Sequence, residues 1–586
     1  MLTVIAAIVF AASPAVDPGQ VPGCAARVRV YRDGHAVGDR CAAETKAAGM
    51  SVIDLGDAWA PYPFDGAAAA AGVAAPDYRE TLIALADERF GGDTLAAADH
   101  DLELYGISPS PRVVLAAMDD EPRHRCHDAV PAEPLQGAPV PLRREDRAHA
   151  QERREAQARG EARIAAALKR RGWTDPSQLV ALGPSYARMV ARAGRAAAFD
   201  RAVDAVQAHL VCEGLLAART GSFDYATSRA LAAYQRRYWI VARGEFDGDT
   251  RDAMVAGSRE LDLLRALRLL RQRVSDAAGL LADGSAQGRW GTVLGRQLDP
   301  EDLRYQGSYP PLRNGADDII APATEAAARA LGWLDFASAR SSLRSLVQAD
   351  ALPVALALPR SPVYRGLRAV IDREAGADRT VLIVYAQDGG SELALVRWPT
   401  TVGGWKQEKL PGGALVRRHK ASDVGPRVWR DLVVAPVWYA PASTPDADLV
   451  GIRDGRWTVK EDLIGPGYRS AYGLVMLVHH QPVSLRQRTA MLDHGIRTHG
   501  SVSYRSILVG DSHGCHRLYN HHALRLATFL LRNHDYVAHG AVLETYDRRV
   551  RRRGRTWYVH RDDRGFRYEL TPPVPIEVLP GAVDVD

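Results

Sequence analysis

The sequence predicts a multidomain α+β protein in which a small helical bundle and helical linkers precede a β-rich C-terminal domain. The chain has 586 residues, more than one hydrophobic core usually sustains. Its 46% hydrophobic and 25% charged residues are typical of a folded globular protein. Apolar residues recur at helical spacing between residues 205 and 254. From about Pro359, apolar runs bounded by turn signals are typical of strands.

Changes in these patterns along the chain give the predicted segments. They are a signal peptide at 1–15, an N-terminal region without assigned function at 16–140, a charged helical spacer at 141–200, the helical bundle at 201–260, a helical region at 261–355, the β-rich domain at 356–560 and a C-terminal tail at 561–586.

The N-terminus has the pattern of a secretory signal peptide. An apolar run from Leu2 to Ala12 precedes small residues, with Ser13 and Ala15 where a cleavage signal places them. Export to the periplasm or cell envelope is therefore expected. A buried first strand or helix, or a lipoprotein acylated at Cys24, remains an alternative. No later segment has the roughly 20 apolar residues of a membrane span, so no transmembrane segment is expected.

The five cysteines make an odd count, which in an exported protein indicates a reactive or intermolecular thiol. Cys24 with Cys41, and Cys126 with Cys212, are candidate disulfides that leave Cys515 free. Sequence does not determine the connectivity, and several unpaired buried cysteines are the alternative.

The formal charge of +5 is small for the length and scattered, so nucleic acid is not an expected partner. A weakly basic protein suits an anionic polymer that carries free carboxylates. The arginines between Arg548 and Arg555 are expected to form a solvated loop.

Two similar turns predict the helical bundle. Gly221–Asp224 precedes Thr227, and Gly244–Asp247 precedes Thr250, with Asp or Thr as the expected helix N-caps. Between them lies a buried helical stripe of Ala230, Leu231, Tyr234 and Tyr238.

The β-rich domain is predicted to open with a hairpin of 381–385 and 393–396 around Asp388-Gly389-Gly390. Further strands are expected at 433–434, 473–478 and 507–509. A helix should begin near Asn520 and bury Leu524, Ala527, Leu530 and Leu531.

The stretch Ser512-His513-Gly514-Cys515-His516-Arg517 has the residue types of a cysteine nucleophile site. A thiol beside an imidazole or a helix N-terminus has a lowered pKa and becomes nucleophilic. His499, sixteen positions earlier, can serve as the base if the two segments are adjacent strands. Amides around His513, Gly514 and Cys515 can receive an oxyanion. Arg517 can hold a substrate carboxylate through two hydrogen bonds.

The helical bundle resembles the three-helix type of bacterial peptidoglycan-binding domain over about fifty residues. The residues that follow the order of that family are Gln207, Leu210, Gly214, Phe223, Asp224, Thr227, Ala230, Tyr234, Gln235, Phe246, Asp247 and Thr250. Any small bundle with two similar turns is the alternative.

The pair His499-Gly500-Ser501 and Ser512-His513-Gly514-Cys515 with Arg517-Leu518 resembles the motif of the YkuD-type L,D-transpeptidases, over roughly residues 360–545. The resemblance implies a Cys515 nucleophile, a His499 base and a His513 that completes the catalytic set. It places Gly514, Ser512 and Gly500 in the oxyanion and positioning shell. It also implies the substrate-binding residues Arg517, Ser501, Tyr472 and Gly473, the last two on a strand beside the cleft.

The resemblance further implies acyl transfer from peptidoglycan stem peptides through a thioester, which forms 3,3 cross-links or related attachments without a cofactor or metal. Peptidoglycan stem peptides and glycan would be the partners. Hydrolysis of the same bond, an L,D-carboxypeptidase activity, is a close alternative.

Two alternatives belong to different classes. His516 stands where the family has an aliphatic residue, and further histidines occur at His479, His480, His494, His521 and His522. They leave the identity of the base open and permit a zinc site with Cys515, although ligands so closely spaced are unusual for zinc. The other alternative is a wall-binding scaffold in which Cys515 is merely buried.

Overall fold

A computed structural model gives the structure of the chain. It describes residues 24, 27–56, 59–64, 111–238, 240, 244–281, 323–349, 353–357, 364–373, 380–388, 390–453, 455–486, 488–503, 506–507 and 510–581. The predicted signal peptide lies outside these residues.

The described residues form strands and helices in the following order. The strands are β1 Arg27–Arg32, β2 His35–Cys41, β3 Ser51–Asp54, β4 Pro353–Leu356, β5 Arg365–Asp372, β6 Val381–Asp388, β7 Ser391–Pro399, β8 Gly403–Lys409, β9 Leu415–Ala421, β10 Gly425–Val434, β11 Val450–Arg453, β12 Arg456–Val459, β13 Val475–Leu485, β14 Arg488–Ser501, β15 His516–Tyr519, β16 Tyr536–Arg552 and β17 Arg555–Val578. The helices are α1 Ala42–Ala47, α2 Pro111–Met118, α3 Glu121–Asp128, α4 Glu133–Gln136, α5 Arg147–Lys169, α6 Ser177–Val180, α7 Pro184–Cys212, α8 Tyr225–Arg237, α9 Gly248–Ala256, α10 Ser258–Ala278, α11 Ala323–Leu331, α12 Phe336–Gln348, α13 Glu461–Ile464 and α14 Asn520–Asn533.

The predicted α+β class with a β-rich C-terminal region is confirmed. Nine strands of that region form one sheet in the order β15-β14-β13-β10-β17-β5-β6-β7, with β16 paired to β17. The pairs β8–β9 and β11–β12 are separate two-stranded hairpins. The predicted hairpin of β6 and β7 is present, and α14 begins at Asn520 as expected.

The helical bundle is built on two repeated turns, each capped as predicted. Asp224 Oδ1 accepts from Thr227 N at 2.8 Å, and Asp247 Oδ1 accepts from Thr250 N at 2.9 Å. The buried glutamines Gln207 and Gln235 bond to the backbone of the first and second turn, respectively. The predicted stripe on α8 is buried. These paired caps and glutamines fix the entry angles of α8 and α9.

Several elements cross the segment boundaries that the sequence suggested. Helix α7 runs through residues 200 and 201, and α10 runs through 260 and 261. Strand β4 pairs with β1 and β3, so residues near 354 complete the N-terminal sheet. One hydrophobic cluster includes Leu267 of α10 and Leu526 of α14, so the helical part and the large sheet share a core.

Both predicted disulfides are present. Cys24 is bonded to Cys41, Cys126 is bonded to Cys212, and Cys515 is a free cysteine. The second bridge ties α3 to the end of α7.

Three local predictions need correction. Ile507 is not in a strand, because Ser503 O accepts from Ser506 N and Ile507 N in a helical turn; Leu508 and Val509 lie outside the described residues. The arginines 548–555 form the end of the β16–β17 hairpin rather than a loop. Residues 561–578, predicted as part of a tail, belong to β17 inside the large sheet.

None of the described helices combines the length and hydropathy needed to cross a membrane.

Candidate active site

The two halves of the cysteine motif lie on adjacent strands. Strand β14 pairs in parallel with β15, with His499 opposite Arg517 and Thr498 opposite His516. Cys515 directly precedes β15, and continuing this register by one residue places it next to Arg497, whose backbone N–H and charge act on its thiol. Because side chains alternate along a strand and opposed residues share a face, Arg497, His499, Cys515 and Arg517 belong to one face of the sheet.

The intervening residues occupy the opposite, buried face. Thr498 Oγ1 lies 2.8 Å from His479 Nε2, which also accepts from Trp429 Nε1 at 3.0 Å. The His479 and His516 rings are 5.0 Å apart, and His516 Nδ1 donates to the Thr401 carbonyl at 2.9 Å. These two additional histidines therefore support the strand pair from behind and do not reach the face that bears Cys515.

The turn before Cys515 is stabilised by the hydroxyl of Ser512, within the turn, and by Thr401, in the segment that precedes β8. Ser512 Oγ donates to Cys515 O at 2.8 Å and accepts from Gly514 N at 3.2 Å. Thr401 Oγ1 donates to Cys515 O at 2.7 Å and accepts from Arg517 N at 3.0 Å. Gly514 has φ +102°, a conformation that favours glycine. The Gly514 amide is thus engaged in the turn, which leaves the neighbouring His513 and Cys515 amides as the candidate oxyanion donors.

The Cys515 thiol is half-buried, and its sulfur lies 3.7 Å from the Gly495 carbonyl oxygen, to which it donates. Burial raises the thiol pKa above its ordinary value, although the Arg497 backbone N–H and the charges of Arg497 and Arg517 act in the opposite direction. The expectation of a lowered pKa is therefore wrong for the free protein. Helix α14 begins only after β15, five residues beyond Cys515, so its N-terminus does not adjoin the sulfur.

His499 is buried and oriented by its neighbour. Its Nδ1 donates to the Gly500 carbonyl at 2.8 Å, which places the proton on Nδ1 and leaves Nε2 as the basic nitrogen. Burial and the nearby Arg517 lower its pKa to about 3. The structure has no hydrogen bond between this ring and Cys515 among the described residues. The free protein thus pairs a neutral thiol with a neutral imidazole on the same face.

Arg517 acts on the thiol through its charge and has no strong partner of its own in the described part of the chain. Arg517 has a 3.4 Å contact to the Asp511 carbonyl and, in the described part of the chain, no carboxylate within 4.0 Å. Burial lowers its pKa from the ordinary value. His513 is exposed, and local desolvation and the charges of Lys406 and Arg517 lower its pKa to about 4. An unneutralised guanidinium next to a free thiol is suited to a substrate carboxylate.

The side chain of Asn520 leaves no room for a Cβ atom at positions 473 and 500. Its side chain is buried, accepts from Leu474 N at 3.3 Å and donates to Tyr468 O at 2.9 Å. A Cβ on either Gly473 or Gly500 would collide with its Oδ1. These glycines therefore have packing roles that fix the start of β13 against β14.

The structure places the remaining predicted residues as follows. Tyr472 and Gly473 lie in the turn before β13 rather than on a strand, and the Tyr472 ring contacts His499 edge-on at 5.2 Å between centroids. Ser501 is buried at the end of β14, and its hydroxyl accepts from Ser503 N at 3.1 Å. That contact gives Ser501 a part in shaping the loop after β14.

Sequence reasoning missed an ion pair beside the thiol. Buried Arg497 bonds to Asp493 through two contacts of 2.6 Å. The four-residue spacing puts both side chains on the same face of one strand, but at about 3.3 Å per residue a regular strand would keep them about 13 Å apart. The contact depends on a register shift between these two residues, which the sequence did not signal. Thr400 and Thr401 were also missed; they bond to Arg517 O and Cys515 O, and their separation of more than 100 residues from the motif left no local signal.

The additional histidines and Cys515 do not form a metal site in the described part of the chain. Within the described ranges, no group of three or more His, Cys, Asp or Glu side chains has a geometry that could hold a metal ion. His480 bonds to Asp431 Oδ2 at 2.7 Å, and His522 stacks on Trp398 at 4.5 Å.

No family model matches the chain, and no curated protein was found to match it.

Proposed function

We propose that the protein is a cysteine acyltransferase of the L,D-transpeptidase type that acts on peptidoglycan stem peptides. The observation that carries the proposal is the parallel β14–β15 pair, which brings His499, Cys515 and Arg517 to one face of the sheet. Further support comes from the cysteines, since Cys515 is the free one while the other four are bridged.

In the proposed reaction, the substrate carboxylate binds Arg517 and displaces water from the face that holds the thiol. Rotation of the Cys515 side chain away from the Gly495 carbonyl brings the sulfur toward His499 Nε2, which takes the thiol proton. The sulfur attacks the carbonyl carbon at the L-centre of the third stem residue. The carbonyl oxygen becomes an oxyanion, received by amides of the 513–515 turn.

Collapse of this intermediate breaks the amide bond. The nitrogen of the terminal D-alanine takes the proton from His499 and leaves as an amine, so a thioester on Cys515 remains. An amine from a second stem peptide then attacks the thioester and loses a proton to His499. The products are the 3,3 cross-link and the regenerated thiol, and no oxidant, reductant or metal takes part.

The neutral state of both groups fits this order of events. A thiol with a raised pKa and an imidazole with a pKa of about 3 do not form a resident ion pair. Ionisation then accompanies substrate binding, when the thiol proton and the base are brought together. The helical bundle would contribute by holding the wall polymer close, since tethering raises the effective substrate concentration.

The test is incubation of the full-length mature chain with tetrapeptide muropeptides, followed by mass spectrometry. We expect cross-linked dimers and released D-alanine with the native chain, and neither with Cys515→Ala. Arg517→Lys keeps the charge but loses the forked geometry, so we expect a higher KM with a smaller change in kcat.

Other outcomes have definite meanings. Tripeptides without dimers would identify an L,D-carboxypeptidase. Activity lost to chelators together with stoichiometric zinc would support the metal alternative. Binding to isolated wall without any turnover, unaffected by Cys515→Ala, would identify a non-catalytic scaffold.

A further inference from the structure

The end of the β16–β17 hairpin concentrates positive charge. Residues 548–555 contain six arginines, no lysine and no acidic residue. Because the formal charge of the whole chain is +5, the rest of the chain sums to 5 − 6 = −1. Outside this segment, basic and acidic residues are therefore nearly equal in number, 69 and 70.

The hairpin presents these arginines on an ordered frame. Arg549 is paired with Tyr558, and Arg551 with Thr556, across an antiparallel ladder that closes at Arg553 and Gly554. Both closing residues have positive φ, +48° and +74°, as a tight two-residue hairpin turn requires. On the other face of the ladder, Val550 and Val559 belong to a separate buried cluster together with Val450 and Val459 of the β11–β12 hairpin.

Most of this charge is unbalanced. Arg548 is committed, because it donates to the Ala440 and Thr444 carbonyls and lies 3.3 Å from Asp446. Arg549, Arg551, Arg553 and Arg555 are exposed, and in the part of the chain that the structure describes none of their guanidinium groups has a carboxylate within 4.0 Å. Asp446 Oδ2 accepts from the backbone N–H of Arg551 at 3.0 Å and leaves the Arg551 guanidinium unpaired within the described residues. Four like charges held this close repel one another, and an anionic partner would relieve that repulsion.

Apolar side chains lie beside these arginines. Ile452, at the end of β11, is 65% exposed, and Tyr558, opposite Arg549, is 78% exposed. Ile452 pairs with Trp457, whose ring centroid is 5.1 Å from the Arg553 guanidinium carbon. Tyr558, Arg549 and Arg551 share one face of the ladder, whereas Ile452 lies on the hairpin that packs against the other face, near Arg553 at the turn. We call the hairpin tip formed by Arg549, Arg551, Arg553, Arg555, Ile452 and Tyr558, which includes both faces, the arginine end.

We propose that the arginine end docks on the surface of an anionic phospholipid bilayer. Guanidinium groups bind phosphate oxygens in pairs, which suits lipid headgroups and explains the use of arginine without lysine. Aliphatic and aromatic side chains beside basic residues are typical of surfaces that lie in the membrane interface. A soluble polyanion would use the charges but would leave Ile452 and Tyr558 exposed, so the apolar contacts favour a bilayer. The contact is peripheral, made by two hairpin ends, and is independent of the proposed enzyme activity.

The test uses the full chain and sedimentation with vesicles of phosphatidylglycerol and phosphatidylcholine, compared with phosphatidylcholine alone. We expect binding only to the anionic vesicles, weakened by salt. The double variant R551E/R553E should bind at least about tenfold more weakly, given an effect of about fivefold per arginine near a charged membrane. The control R163E/R170E makes the same charge change at exposed positions on and just after α5, and should bind like the native chain.

A second variant separates apolar contact from charge. Ile452→Ser with Tyr558→Ser leaves every arginine in place and should still weaken vesicle binding several-fold. Unchanged vesicle binding in either variant overturns the proposal, as does tighter binding of inorganic polyphosphate than of vesicles. Turnover of soluble muropeptides should be equal in all these variants, so a failure here is distinguishable from a failure of the proposed reaction.

Discussion

Arg497 holds Asp493 through two hydrogen bonds of 2.6 Å, and the backbone N–H and the charge of Arg497 act on the Cys515 thiol. The two charges act on the thiol in opposite directions, since Arg497 lowers its pKa and Asp493 raises it. The ion pair therefore sets the charge seen by the sulfur while keeping the buried guanidinium compensated.

This arrangement predicts that Asp493→Asn lowers the thiol pKa. Loss of the carboxylate charge leaves Arg497 unbalanced, so iodoacetamide at about pH 7 should alkylate Cys515 roughly three to ten times faster. Arg497→Gln should slow the reaction. Asp423→Asn is the control, because Asp423 interacts with Arg427 and His494 rather than with the thiol. Equal alkylation rates in all three variants would contradict the role of the ion pair.

Gly473→Ala should destabilise the protein strongly. The residue has φ +63°, and its new Cβ would collide with Asn520 Oδ1 and lie 2.6 Å from the Gly500 carbonyl carbon. We expect a loss of more than about 2 kcal/mol in the free energy of unfolding, measured with urea. Gly413→Ala, at φ +85° in open space, is the control and should cost about 1 kcal/mol. Equal losses would show that Asn520 yields to the methyl group.

Buried histidines predict a loss of stability in mild acid. Burial lowers the pKa of His516 to about 4 and those of His499 and His209 to about 3. Their contribution is fully present above the unfolded pKa of about 6.5 and is lost as the pH falls toward the folded values, because only the unfolded chain takes up protons in that window.

At about pH 5 each such histidine should reduce the free energy of unfolding by about 2 kcal/mol relative to pH 7.5. Urea unfolding at the two pH values measures the sum. His516→Gln removes one titrating group and should make the difference between the two pH values smaller. A free energy that is independent of pH between 7.5 and 5 would contradict the neutral buried state.

Removal of the Cys126–Cys212 bridge should be the most destabilising change among the cysteines. The bridge spans 86 residues, so Cys126→Ala with Cys212→Ala should cost about 2–5 kcal/mol. The 17-residue separation of Cys24 and Cys41 predicts a smaller loss. Cys515→Ala should leave the unfolding midpoint unchanged, and reductant should shift the native chain toward the double variant. A midpoint insensitive to reductant would argue against a stabilising bridge.

Local patterns in the sequence predicted the parts of the fold that local physics determines. The stripe of Ala230, Tyr234 and Tyr238 and the caps Asp224 and Asp247 depend on spacings of three or four residues, and the structure contains each of them. Ile507 shows the limit of such reasoning, since a β-branched residue in an apolar run lies in a helical turn that closes the loop after β14.

For the candidate site, the sequence located the motif but not its electrostatics. The adjacency of the His499 and Cys515 segments was a condition of the sequence argument, and the parallel register satisfies it. The raised thiol pKa depends on burial. The hydrogen bond from Thr401 to the Cys515 carbonyl comes from a segment more than 100 residues away. Neither burial nor a contact between distant segments is encoded in residue spacing.

Strand β17 lies between β10 and β5 and thereby joins the strands that bear the motif to the β5–β7 part of the sheet. Strands β5 and β10 are synthesised long before residues 555–578. Until β17 is made, the edge that each of them presents to β17 therefore stays unpaired. Closure of the sheet is consequently a late event that requires contacts of high sequence separation, which makes folding slow and the incomplete chain prone to association. A chain of this design gains from protection of these edges until all of β17 has been made.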